Sequence, residues 1–161
     1  MGYYYLRTHD GKELRPYNEA EKSTVLREFY TPHHERLTVE TQKIIDEHGF
    51  GILVDCHSYD DSVSWVSGKD CPDICLGLNA ANPVIEQTIS DLCIKYGYSC
   101  AVNTPFAGSI IPNNIDSTKL FSIMLEINKR IYGGRKTDNM AFERLQDFAE
   151  NFIQLLLYLV K

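Results

Sequence analysis

Apolar positions along the chain alternate between helical and strand-like spacing. Over residues 18–48 they recur as Val25 and Phe29, then Leu37, Ile44 and Ile45, and Gly49 stands where a helix would stop. Pro32 interrupts this stretch and predicts a break or kink near Thr31. The run Phe50-Gly51-Ile52-Leu53-Val54-Asp55-Cys56 is short and almost continuously apolar, the pattern of a strand covered on both faces. Residues 57–72, rich in Ser, Asp and Gly, read as a long loop, and Ile74–Leu78 as a second strand. Asn82 and Pro83 have the residue types of an N-cap and first helical position, opening a helix that runs through Ile85, Ile89, Leu92 and Cys93 to Gly97. A strand over 98–102, a loop over 103–117 with two prolines and a strand over 120–127 follow. From about Asn139 an amphipathic helix runs to the end, with Phe142, Leu145, Phe148, Phe152, Leu155, Leu156 and Leu159 as its core stripe. Strands separated by such helices predict an α/β fold, three-layer αβα around a mostly parallel (mixed) sheet, in a single domain over residues 1–161.

Composition narrows the function classes. With 161 residues, 43% apolar and 24% charged, the chain is too apolar for disorder and long enough for one core. Its 22 acidic against 16 basic side chains leave a net charge of −6, which argues against a partner read through its phosphates. No apolar run approaches the roughly 18 residues that span a bilayer. The first residues contain no signal-peptide core. Five cysteines, with Cys56, Cys93 and Cys100 inside apolar segments, point to a reduced, cytoplasmic protein.

Two charged residues interrupt apolar strands near their C-terminal ends: Asp55, followed by His57, and Glu126 in Met124-Leu125-Glu126-Ile127-Asn128. A bare carboxylate within a sheet is costly, and C-terminal strand ends of open parallel sheets form ligand crevices. A histidine and two carboxylates there suggest a metal or acid–base site. Bland readings stand beside it: Asp55 bonded to backbone amides, His57 a satisfied loop histidine, Glu126 paired with Lys129 or Arg130. Cys71-Pro72-Asp73-Ile74-Cys75 lacks a second cysteine pair and reads as two reduced thiols rather than a zinc ribbon. A cysteine nucleophile at Cys56 or Cys100 is disfavoured, because a thiol within an apolar run is usually inert. Tyr3-Tyr4-Tyr5 reads as a strand or a packing patch.

Five segments, in order, resemble the N-formylglutamate amidohydrolase family, zinc-dependent deacylases related in fold to zinc carboxypeptidases and aspartoacylase. Tyr30-Thr31-Pro32-His33-His34-Glu35-Arg36-Leu37 is similar to its Tyr-x-Pro-Tyr-His-x-x-Leu element, with His33 in place of Tyr. Asp55-Cys56-His57-Ser58 resembles its Asp-x-His-Ser segment, and Pro72-Asp73-Ile74-Cys75-Leu76-Gly77 its Pro-Asp-(Ile/Phe)-x-Leu-Gly stretch. Asn103-Thr104-Pro105-Phe106-Ala107-Gly108-Ser109 resembles the Asn-x-Pro-Phe-x-Gly-Gly loop, with Ser109 for the second Gly. Glu126-Ile127-Asn128-Lys129-Arg130-Ile131-Tyr132 is similar to its Glu-Ile-Asn-(Arg/Lys)-x-x-Tyr block.

The resemblance implies hydrolysis of the acyl-amide bond of a small N-acyl amino acid such as N-formylglutamate, with no nucleic-acid or membrane partner. It implies zinc held by two His and a Glu with an open position for water, the ion acidifying that water and polarising the scissile carbonyl. Carried onto this chain, His57 would be a zinc ligand, Glu126 the general base and Asp55 a residue standing behind the ligands. Asn103, Phe106, Gly108, Ser109 and His34 would line the substrate pocket. The family's remaining zinc ligands lie on an N-terminal segment, often His-Ser-Gly, which has no counterpart in this sequence. Upstream of Tyr30 the one histidine is His9, in a context that does not match. The zinc shell is therefore expected to be incomplete, in an N-terminally incomplete chain or in a shortened relative that serves as a non-catalytic binding or scaffold domain.

Overall fold

The structure, a computed structural model, describes residues 3–8, 11–60, 71–132 and 139–160. They group into two compact units, residues 3–51 with 111–120, and residues 52–60, 71–110 and 121–160.

The first unit is mainly helical. Helix α1 (Glu19–Val25) is capped by Asn18, whose side chain accepts from the Glu21 N–H, and α2 (Thr31–His48) follows after a wider turn over Leu26–Tyr30. The break expected at Thr31 takes this form: the Thr31 N–H reaches back five residues to Leu26 O, and Pro32, lacking an N–H, cannot restore the tighter register at once. Gly49 ends α2 at φ +79°, its N–H on Ile45 O. The tyrosine cluster packs here, Tyr3 against Tyr30 at 4.8 Å and Tyr4 edge-on to Tyr17 at 6.4 Å.

The second unit holds the sheet. Strands β1 (Gly51–Tyr59), β2 (Ile74–Leu78), β3 (Cys100–Val102) and β4 (Leu120–Asn128) lie in the order β1-β4-β2-β3. β2 runs parallel to β3 and antiparallel to β4. The first residue of β1 donates to the residue preceding β4, Gly51 N to Lys119 O at 2.8 Å, so those neighbours start at the same end and run parallel. The sheet is mixed and mostly parallel, as the sequence implies.

Its two faces differ. Ile74, Leu76 and Leu78 of β2 and Ile123 and Leu125 of β4 point to one side, where α3 (Pro83–Lys95) and α4 (Asn139–Leu159) cover them with Ile85, Ile89, Cys93, Phe148, Phe152 and Leu156. Asn82 caps α3 by accepting from Ile85 N at 3.2 Å. Ser122, Met124 and Glu126 face the other side by strand alternation.

Three expectations change. β1 continues through His57 and Ser58 to Tyr59, whose buried ring packs on Phe106 and whose hydroxyl donates to Pro72 O, so the loop starts later than predicted; residues 61–70 of that loop lie outside the described residues. β3 begins two residues late, because Tyr98 N still bonds Cys93 O in the turn that closes α3. Phe142 is 57% exposed rather than core. It precedes Phe148 by six residues, about 120° round a helix of 3.6 residues per turn.

Candidate active site

The parallel pair β1 and β4 brings their C-terminal ends together, and with them His57, Asp55 and Glu126. Asp55 and His57 are two apart on β1 and share a face. His57 Nε2 lies 2.8 Å from Asp55 Oδ1. An imidazole donating from Nε2 to a carboxylate keeps its lone pair on Nδ1, the nitrogen then able to bind a metal or accept a proton. Glu126, on the neighbouring strand, is 2% exposed, and its Oε2 has no hydrogen-bond partner among the described residues. Burial pushes its carboxyl above the usual range; His57 draws it down, Asp55 raises it further and Lys129 lowers it. The site thus pairs an oriented imidazole with a carboxylate that holds its proton more tightly than usual.

The neighbours of Asp55 and Glu126 differ from those of the bland readings. Asp55 bonds the imidazole. Glu126 makes no ion pair with Lys129 or Arg130 among the described residues. Arg130 instead donates from Nε to Asp73 Oδ1 at 2.9 Å, while Ser99 N and Oγ donate to Asp73 Oδ2 at 2.9 and 2.8 Å. Partial burial and neighbouring Asp55 push the Cys56 thiol up, opposite to the need of a nucleophile.

The loop over 103–109 lies on the Glu126 side of the sheet. Cys75 is the cross-strand partner of Glu126 and donates from Sγ to Phe106 O at 3.4 Å. Phe106 meets the Tyr59 ring edge-on at 5.1 Å, which puts Phe106 beside the site. Asn103, at φ +54°, holds the loop to the end of β2: its Oδ1 accepts from Leu78 N and Gly108 N, and its Nδ2 donates to Leu78 O. Ser109 is tied to Asn79, whose Oδ1 accepts from Ser109 N and whose Nδ2 donates to Ser109 Oγ at 2.8 Å. A Cβ on Gly77 would land on the Gly108 carbonyl oxygen and 2.6 Å from Met124 Cε, so this position holds no side chain. Asn103, Gly108 and Ser109 therefore shape the loop through its own bonds, and Phe106 is the loop residue whose carbonyl meets Cys75, the cross-strand partner of Glu126.

His34 belongs to the first unit, where its ring packs tilted against Tyr30, centroids 4.1 Å apart. His9 lies outside the described residues. Sequence reasoning missed Asn79, Cys75 and the Asp73–Ser99–Arg130 cluster. Asn79 carries no local signal, since its partner is thirty residues away; Asp73 and Cys75 bond to Ser99, Arg130 and Phe106, all more than twenty residues distant.

These residues meet a zinc shell only in part. His57 offers one imidazole nitrogen, and the unpartnered Glu126 Oε2 is a buried acceptor near it. A catalytic zinc takes three protein ligands. Among the described residues no three His, Cys, Asp or Glu side chains are grouped to hold a metal.

An imidazole backed by a carboxylate, beside a second, protonatable carboxylate at the strand ends of a mixed α/β sheet, is an arrangement suited to acid–base chemistry. The N-formylglutamate amidohydrolase family model matches residues 1–133, and the chain belongs to that family. It is 27% identical over 143 residues to an N-formylglutamate deformylase of Pseudomonas aeruginosa, covering 81% of this chain and 53% of that protein. An N-formylglutamate deformylase of Pseudomonas putida is 28% identical over 125 residues, covering 74% of this chain and 46% of its own. The chain thus spans about half the length of the curated relatives it matches. The crystal structure of N-formylglutamate amidohydrolase from Ralstonia eutropha JMP134 superposes with a TM-score of 0.72 at 19% identity, over 92% of this chain and 57% of that one. That likeness shows the fold, the three-layer α/β class expected from the sequence.

Proposed function

We propose that this chain hydrolyses the acyl-amide bond of a small N-acyl amino acid of the N-formylglutamate type, with Glu126 as general base. The observation that carries the reading is the buried Glu126 carboxylate, proton-hungry and with no partner on Oε2 among the described residues, at the same sheet end as the Asp55–His57 pair. A water oxygen adds to the acyl carbon as Glu126 takes its proton. The tetrahedral adduct collapses, the C–N bond breaks, and Glu126 returns the proton to the departing amine. For a formyl group the products are formate and the free amino acid. The family membership and the two deformylases support this substrate class.

Zinc dependence is part of the same proposal. His57, with Asp55 on its Nε2, is suited to supply one ligand, and further ligands would come from outside the described residues. The rival reading, a binding domain that keeps His57 and Glu126 without turnover, draws on the lack of a three-ligand group among the described residues.

Glu126→Gln tests the reading. It keeps volume and hydrogen-bonding capacity but removes the proton acceptor, and kcat on N-formyl-L-glutamate, measured with zinc supplied, should fall by roughly 10²–10⁴. The melting temperature should not drop. Near-normal turnover in a destabilised variant would instead make Glu126 a structural residue. Saturable binding of N-formyl-L-glutamate by the wild-type protein without turnover, with or without zinc, would favour the binding domain.

A further inference from the structure

We propose that Lys129 binds a carboxylate of the substrate and thereby selects N-acyl amino acids carrying more than one negative charge; the assignment rests on the hydrolytic reading above and names the recognition element of that same site. The argument begins with charge. The protein's own charges at the site are Asp55 and Glu126 in a chain of net charge −6, and a side-chain cation at the mouth would draw an anionic substrate towards it. The described cations of the second unit are Lys95, Lys129, Arg130 and Arg144. Lys95 lies over the Tyr96 ring and Arg144 over the Tyr98 ring, both on the helical side. Arg130 is bound to Asp73. The Lys129 ammonium makes no hydrogen bond or ion pair among the described residues, and the side chain is exposed.

Its placement is fixed by the backbone. Lys129 opens a single 3-10 turn, Lys129–Ile131, directly after β4, three residues beyond Glu126. At a strand rise of about 3.3 Å per residue its Cα lies at most about 10 Å from that of Glu126. A lysine stem of four methylenes gives the ammonium the length to reach back to the strand end that carries Glu126. The turn is held rigidly: Asn128 Oδ1 accepts from Arg130 N, Asn128 N donates to Asp73 O at 2.8 Å, and Asn128 Nδ2 donates to Pro72 O. A flexible, strongly hydrated point charge on an anchored turn suits a carboxylate that must bind and leave.

The test is steady-state kinetics of the full chain, with zinc supplied, on N-formyl-L-glutamate and its two monoamides, N-formyl-L-glutamine and N-formyl-L-isoglutamine. Lys129→Met should raise KM for N-formyl-L-glutamate at least tenfold while kcat moves less than threefold, and Lys129→Arg should recover most of the loss. One monoamide should already be weak on the wild-type protein, and Lys129→Met should leave its KM unchanged, since the contact is absent on both counts. The wild-type preference for the dianion should also shrink as salt is added. Wild-type turnover with a KM insensitive to Lys129→Met, or an equal rise for all three substrates, overturns the assignment alone. A wild-type protein that turns over none of them overturns the hydrolytic reading, and the assignment with it.

Discussion

Ionising Glu126 inside the fold is unfavourable, and the consequence for stability has a definite sign. Its folded pKa is raised above the unfolded value of 4.5, burial being the main cause. Below that value the carboxyl is protonated in both states and contributes nothing. As pH rises from 4.5 towards the folded value, the unfolded chain loses its proton first, so stability falls through that window. Glu126→Gln lacks this loss. Its melting temperature relative to wild type should therefore rise between pH 4 and neutrality, and a constant or falling difference across that range would contradict the raised pKa. Glu126 was visible in the sequence as a charge inside an apolar strand. The lack of a partner for its Oε2 among the described residues was not, because Arg130 turns instead to Asp73, a residue 57 positions away.

The loop over 103–109 depends on the element beneath it. β2 carries Gly77 opposite Met124, and the Gly108 carbonyl closes on it from the loop. Gly77→Ala inserts a methyl where the nearest atom is backbone, which cannot swing aside as a side chain could. Overpacking of this kind costs about 1–3 kcal/mol, and here it should also displace Phe106 and lower activity in molecules that remain folded. Chemical denaturation together with kcat/KM on the same variant checks both; full activity with unchanged stability would show that the loop is not seated on β2. The Leu-Gly pair was legible as a motif, whereas the reason for the glycine required a carbonyl from a segment thirty-one residues downstream. Likewise, Pro32 announced a disturbance of the first helical stretch, but not that the chain would absorb it as one wide turn.

For the second unit as a whole, Asp73 joins the starts of β2 and β3 to the turn after β4, binding Ser99 and Arg130. Burial alone would raise its pKa, but the hydrogen bonds from Ser99 and the Arg130 guanidinium outweigh it and hold the carboxyl below the ordinary 3.8. A depressed carboxylate stabilises above the unfolded value and loses that contribution as pH falls through the folded one. Asp73→Asn should cost about 1–3 kcal/mol near neutrality, and the gap to wild type should close on acidification below 3.8. Urea midpoints at several pH values measure this; a gap independent of pH would mean that the charge at Asp73 is not what matters.

Periodicity and local chemistry along the chain were enough for the strands and helices, the N-cap at Asn82, the stop at Gly49 and the carboxylates that do not belong in apolar strands, since each depends on neighbours within a few residues. The ordered motifs were enough for the family. Contacts between distant segments decided the rest: the direction of β4 against β2, the extension of β1 to Tyr59, and the seating of Asn103 and Ser109. Phe142 shows the same limit from the other side. Its apolar character predicted burial, but which arc of α4 meets the sheet is chosen by packing of the whole unit, and that arc runs through Phe148, Phe152 and Leu156.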